Sequence, residues 1–197
     1  MTMTAMTPGW AKRLVDADLL GALTVPARQG DYPRASRAFV RIDTSLRIYW
    51  HTLFDICPGL LDLSGPDGLS IFRPFMAWAA DERLSLNWTY YLWVDVWLRR
   101  SPFAGRVTPE LRLSLIGASA ARWATGDRLE AGGIVLSGLD AADLVCGWKA
   151  RSIDAGRQVE RIGLEDPLPT APEPFGFFTV PGGELDGGFP GWTPIPR

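Results

Sequence analysis

TSLRIYWHTLFDICPG, residues 44–59, decides how the chain begins to fold. Leu46, Tyr49, Trp50, Leu53, Phe54 and Cys57 recur at steps of three and four, the period of a helix with one apolar face. Asp43 or Thr44 can cap its start, and Pro58-Gly59 stops it. Just upstream, Arg37 to Asp43 (RAFVRID) reads as a short strand or as the entry to this helix. Residues 1–36 read as a polar lead-in holding one candidate helix, Ala11 to Leu20.

Downstream, Ser64-Gly65-Pro66 restarts the chain, with Pro66 placed where a first helical turn tolerates proline. Ile71, Phe72, Phe75, Met76 and Ala79 form the apolar face of a second helix, and Pro74 inside it predicts a kink or a split. Asn87 caps a third, Trp88 to Arg100, apolar nearly all round and therefore central and buried. Thr108-Pro109-Glu110 opens a fourth, with Leu113, Ile116, Ala120 and Trp123 on one side and an end near Thr125-Gly126. The texture then changes. Gly132 to Ser137, Leu144 to Ile153 and Arg157 to Leu164 read as strands, with Asp154-Ala155-Gly156 as a hairpin turn between the last two. Helices first and strands second predict an α+β fold: a helical part over 37–126, a small antiparallel sheet over 127–165, and an extended Pro/Gly-rich C-terminal arm over 166–197. The arm carries Phe175, Phe177, Phe178, Phe189 and Trp192, so it reads as a segment pinned by its rings to a surface.

Composition excludes several functions. The 197 residues carry a formal charge of −2, and the only lysines are Lys12 and Lys149. The arginines are scattered, so no phosphate-tracking groove for nucleic acid is expected. The greasiest stretch, Trp88 to Leu98, is interrupted by Asp95 and too short for a bilayer. Met1 to Trp10 shows no export signal, and Cys57 and Cys146 form no C-x-x-C pair, which together predict a reducing, cytoplasmic setting. Nine tryptophans and nine phenylalanines fit either a large aromatic core or a permanent protein–protein interface.

Chemistry is sparse. A single histidine, His51, cannot build a site of two or more imidazoles, so no metal site is expected in this chain. His51 lies about 140° round the helix from Leu46, on the margin of the apolar stripe. It is either structural or a general base. Cys57, at the negative end of a helix, reads as a core residue rather than an activated thiol. Asp95 needs a partner inside its greasy helix, and Arg99 stands one turn away. Glu184 and Asp186 can bridge to a partner arginine but lack metal-ligand spacing. G-x-G-x-x-G, Walker, H-E-x-x-H and nucleophile-elbow patterns are all missing. A binding subunit is favoured over an enzyme, with no catalytic residue assigned. The alternatives are catalysis through His51, Asp95 or Cys57, and a purely structural scaffold.

YPRASRAFVRIDTSLRIYWHTLFDICPGLLDLSGP (32–66), IFRPFMAWA (71–79), LWVDVWLRRSPF (92–103), ASAARW (118–123), DPLP (166–169), FGFFTVPGGELD (175–186) and FPGWTPIPR (189–197) together resemble the MbnC family, small subunits of methanobactin biosynthesis complexes. The resemblance implies a heterodimer with an MbnB-like TIM-barrel protein that carries the iron, leaving this chain without a cofactor. It implies binding of an MbnA-like precursor peptide through its leader, and dioxygen-dependent conversion of core cysteines to oxazolone and thioamide groups. Within that frame the strands offer an edge for an added leader strand, with Lys149, Arg151, Ile153, Arg157, Val159 and Arg161 as candidate contacts. Trp50, Phe177, Phe178, Phe189 and Trp192 are the candidate partner-interface residues.

Overall fold

In the computed structural model the described residues are 17–126, 132–137, 143–149, 157–163, 165, 176–177, 179–180 and 193–195. Helix α1 spans Ala17–Ala22 and a 3-10 turn spans Pro26–Asp31. Leu19 and Ala22 are buried in the main core, so the lead-in from residue 17 onward belongs to the fold. Residues 11–16 of the candidate first helix lie outside the described residues.

Helix α2 spans Arg37–Phe54, two turns longer than the apolar period alone marks. Ser36 caps it, its Oγ accepting from Phe39 N–H at 3.1 Å. The RAFVRID stretch is therefore helix, not strand, and Ile42 within it is fully buried. Asp43 and Thr44 do not cap: Asp43 accepts from Arg47 at 2.7 Å and from Gln29 at 3.0 Å, and Thr44 Oγ1 donates to the Val40 carbonyl. Both residues sit about two turns too deep, where every backbone N–H already has an acceptor.

After Pro58 a six-residue helix, α3 (Gly59–Ser64), follows at once. The restart at Pro66 is displaced, since α4 begins at Leu69 and ends at Asp81. Gly68 precedes it with φ +67, and the ring of Phe54 fills the space a Cβ there would need. Ile71, Phe72, Phe75, Met76 and Ala79 are all buried, as their spacing predicts. Pro74 does not split the helix. It sits on the exposed side, where water can take the carbonyl that the missing N–H leaves unbonded.

Helix α5 (Tyr90–Leu98) is the centre of the molecule, with every residue but Trp97 buried. Asn87 does not cap it directly. Its Oδ1 accepts from Thr89 N–H at 3.0 Å in a turn that delays the start by two residues. The buried phenols are satisfied by α2, Tyr90 donating to the Tyr49 carbonyl (3.1 Å) and Tyr91 to the Thr52 carbonyl (2.8 Å). Tyr90 also meets the ring of Phe75 edge-on at 5.6 Å.

A second 3-10 turn (Ala104–Arg106) leads to α6, Pro109–Thr125, capped by Thr108 Oγ1 on Leu111 N–H. Its inward face is Leu115, Ile116, Ser119, Ala120 and Ala124, so Leu113 and Trp123 fall on the margins rather than the centre. Helix α6 packs against both α5 and the sheet strands that follow it. Strands β1 (Gly132–Ser137), β2 (Asp143–Lys149) and β3 (Arg157–Gly163) are antiparallel neighbours, and β5 (Thr179–Val180) extends the order to β3-β2-β1-β5. β2 is described to Lys149, and residues 150–153 and the Asp154-Ala155-Gly156 turn lie outside the described residues. Short strands β4 (Gly176–Phe177) and β6 (Thr193–Pro194) pair with each other. Val145 and Ile195 join the helical core, which ties both later segments to it.

Candidate functional site

The face most suited to receive an extended chain is the outer edge of the sheet. β3 pairs with β2 from Asp143↔Gly163 to Lys149↔Arg157 and has no second neighbour among the described residues. A seven-residue edge strand leaves a row of backbone N–H and C=O groups without ladder partners. The register places Arg161 opposite Val145, Val159 opposite Gly147 and Arg157 opposite Lys149. Residues directly opposite in an antiparallel ladder share a face, so four of the six candidate leader contacts occupy one face of one strand pair. Val159 is 38% exposed and Arg161 is exposed. Arg151 and Ile153 lie outside the described residues.

The edge has a defined electrostatic neighbour. Glu110, at the start of α6, is held below the ordinary carboxyl value by its own backbone N–H, by the Thr108 hydroxyl and by the Arg161 cation. The anionic carboxylate is thus at home where the helix dipole is positive and β3 brings an arginine.

The candidate interface aromatics divide. Trp50 is half-buried, with Nε1 donating to the Asp67 carbonyl at 2.8 Å and its ring 4.9 Å from that of Phe54. Phe177 stands in β4 opposite Thr193. Phe178, Phe189 and Trp192 lie outside the described residues.

Of the groups considered for catalysis, Cys57 is buried and its thiol is pushed up to about 12 by desolvation. His51 is exposed and its Nδ1 lies 3.1 Å from Asp55 Oδ2. Asp95 is 0% exposed and carries two guanidinium contacts, Arg112 Nε donating to Oδ1 at 3.0 Å and Arg99 Nε lying 3.1 Å from Oδ2. The i,i+4 pairing with Arg99 is as expected, but the better buried partner, Arg112, comes from α6. Sequence reasoning missed it because a contact across seventeen residues leaves no local spacing to read. Arg122 was missed likewise: its guanidinium carbon stands 5.9 Å from the Tyr90 ring centre. Among the described residues no three His, Cys, Asp or Glu side chains gather as a metal-binding group, and no helix is long and apolar enough to cross a membrane.

A search of curated proteins returns no match. The family described as methanobactin biosynthesis cassette protein MbnC-like matches residues 29–196. The chain belongs to the MbnC-like family. Membership implies a role in methanobactin biosynthesis, in association with the other proteins of that process. The matched span starts within the 3-10 turn before α2 and includes α2 to α6 and all six strands, so both the helical part and the β3 edge are MbnC-like.

Proposed function

We propose that this MbnC-like chain is the partner and leader-recognition subunit of an iron-dependent, dioxygen-using complex. In this reading the complex converts cysteines of a methanobactin precursor peptide into oxazolone and thioamide groups. The iron and the oxidation belong to a TIM-barrel partner of the MbnB type, and this chain grips and presents the peptide in a cytoplasmic setting. The observation that carries the reading is the family match over residues 29–196, joined to the seven-residue strand β3, which stands at the end of the sheet order among the described residues. An extended leader laid along β3 satisfies the edge groups by main-chain hydrogen bonds, while Val159 and the arginines of that face supply selectivity. The single histidine of the sequence supports placing the metal in the partner, because one imidazole cannot build a multi-histidine centre.

The test is leader binding to the purified heterodimer, followed by fluorescence anisotropy of a labelled leader peptide. Arg157→Glu/Arg161→Glu is expected to weaken it at least tenfold while the heterodimer stays intact. Unchanged affinity would leave only the scaffold role. Iron analysis of the chain purified alone addresses the division of labour, and stoichiometric tight iron would overturn it.

A further inference from the structure

A cleft of about 380 Å3 opens where the corner between α2 and α3 meets the start of α6. Ile56, Pro58 and Leu63 line it from the corner and Leu111 from α6, with the buried Cys57 among them. The volume is at the lower end of the range for ligand sites, room for a side chain rather than a large cofactor. Ile56 is 59% exposed, and it stands beyond the last turn of α2, where no helical period calls for an apolar residue.

The polar groups of the cleft serve the fold. Arg106 donates to the Asp62 and Leu63 carbonyls at 3.0 and 3.2 Å, and Ser114 Oγ donates to the Glu110 carbonyl at 3.0 Å. Thr108 Oγ1 accepts from Leu111 N–H. With Asp62 and Glu110 set against Arg106, the rim favours neither sign of charge strongly. What the cleft offers a ligand is its apolar wall.

The cleft continues the line of β3. Val145 of β2 joins the helical core, and Arg161 stands directly opposite it, so both face the helices. Helix α6 packs against β3, and the Arg161 cation acts on the Glu110 carboxylate, which lines the cleft. The way past Arg161 is open: Gly163 ends the strand, is exposed, and a Cβ built on it would meet nothing within 4 Å.

We infer that the cleft between the α2–α3 corner and the start of α6 seats a large apolar side chain of the precursor peptide, from the segment that runs past the Gly163 end of β3. The inference rests on the proposed leader-recognition role and extends the peptide's footprint from the sheet edge to the helical part. Main-chain hydrogen bonds along β3 hold any extended sequence, whereas a side-chain pocket beside them selects one. An aliphatic or aromatic side chain laid against Ile56, Leu63 and Leu111 removes apolar surface from water on both partners.

The experiment measures leader affinity by anisotropy on the heterodimer for wild type, Ile56→Glu, Ile56→Ala and Arg157→Glu/Arg161→Glu, with subunit affinity and thermal midpoint beside it. Ile56 is exposed, so both of its variants are expected to keep the wild-type midpoint. Ile56→Glu is expected to weaken leader binding about tenfold, and Ile56→Ala by less. An alanine scan of the leader's apolar residues is expected to find one whose loss is not additive with Ile56→Glu. If Arg157→Glu/Arg161→Glu weakens binding while both Ile56 variants stay within about twofold of wild type, the inference falls and the leader-recognition role stands. If no variant weakens binding, both fall. Additivity at every leader residue overturns the inference, and so does Ile56→Glu separating the subunits, which shows the occupant to be the protein partner.

Discussion

Removing the carboxylate of Asp95 tests the account of the core most directly. Asp95→Ala leaves Arg112, whose side chain is only 18% exposed, without the acceptor that its Nε reaches at 3.0 Å. Breaking one side of a buried ion pair costs about 3–5 kcal/mol, because the remaining charge loses its carboxylate where water cannot fully replace it. Arg99 is 36% exposed and can turn to water, so it adds little. The expected loss is therefore at the lower end, about 3 kcal/mol, or roughly a hundredfold in the folding equilibrium. Denaturation by urea, followed by tryptophan fluorescence, reads this directly, since Trp93 is buried two residues from the site. The double variant Asp95→Leu/Arg112→Leu removes both charges and is expected to recover most of the loss. A single-variant loss below about 1 kcal/mol, or a double variant as unstable as the single, refutes the argument that Arg112 is held by Asp95.

Three further outcomes follow from the geometry. Gly68→Ala places a methyl group against the Phe54 ring at a left-handed φ of +67, and a loss of about 2–4 kcal/mol in the same urea assay is expected. Ser36→Ala removes the α2 cap and is expected to cost about 1 kcal/mol, with faster amide exchange confined to the first turn of α2. Cys57 resists alkylation by iodoacetamide at pH 8 in the folded chain and reacts once the chain is unfolded in urea. Its folded thiol value is raised, so the neutral form is favoured by folding. The corresponding stability is fully present below the ordinary thiol value of 9.0 and declines as pH rises toward about 12. Rising stability over that window in a comparison of the wild type with Cys57→Ala contradicts the burial argument.

The helix periods were legible where one face is buried and the other is not. The inward residues of α4 follow from spacing, because a 3.6-residue repeat of apolar side chains has one stable arrangement, and the central burial of α5 follows from its being apolar nearly all round. Starts were less legible than faces. Ser36, Gly68 and Thr89 open helices at points where Asp43, Pro66 and Asn87 look equally suitable, and the choice depends on what each cap meets across the fold. For α4 that neighbour is the Phe54 ring, which only glycine tolerates. On α6, Ile116 and Ala120 are buried as their spacing predicts, whereas Leu113 and Trp123 are only partly buried on a helix that contacts α5 as well as β2 and β3.

Apolar periods and the wording of the quoted blocks determined, without any coordinates, that this is a helix-led protein with one histidine and an MbnC-like character. Tertiary structure alone decided that Asp95 is clamped by Arg112, that β3 is the outer strand of its sheet, and that Val40 and Ile48 face outward. The physical reason is range. Periodicity and capping are set by residues within one or two turns, whereas pairing across seventeen residues and the exposure of a helix face depend on which other elements arrive there.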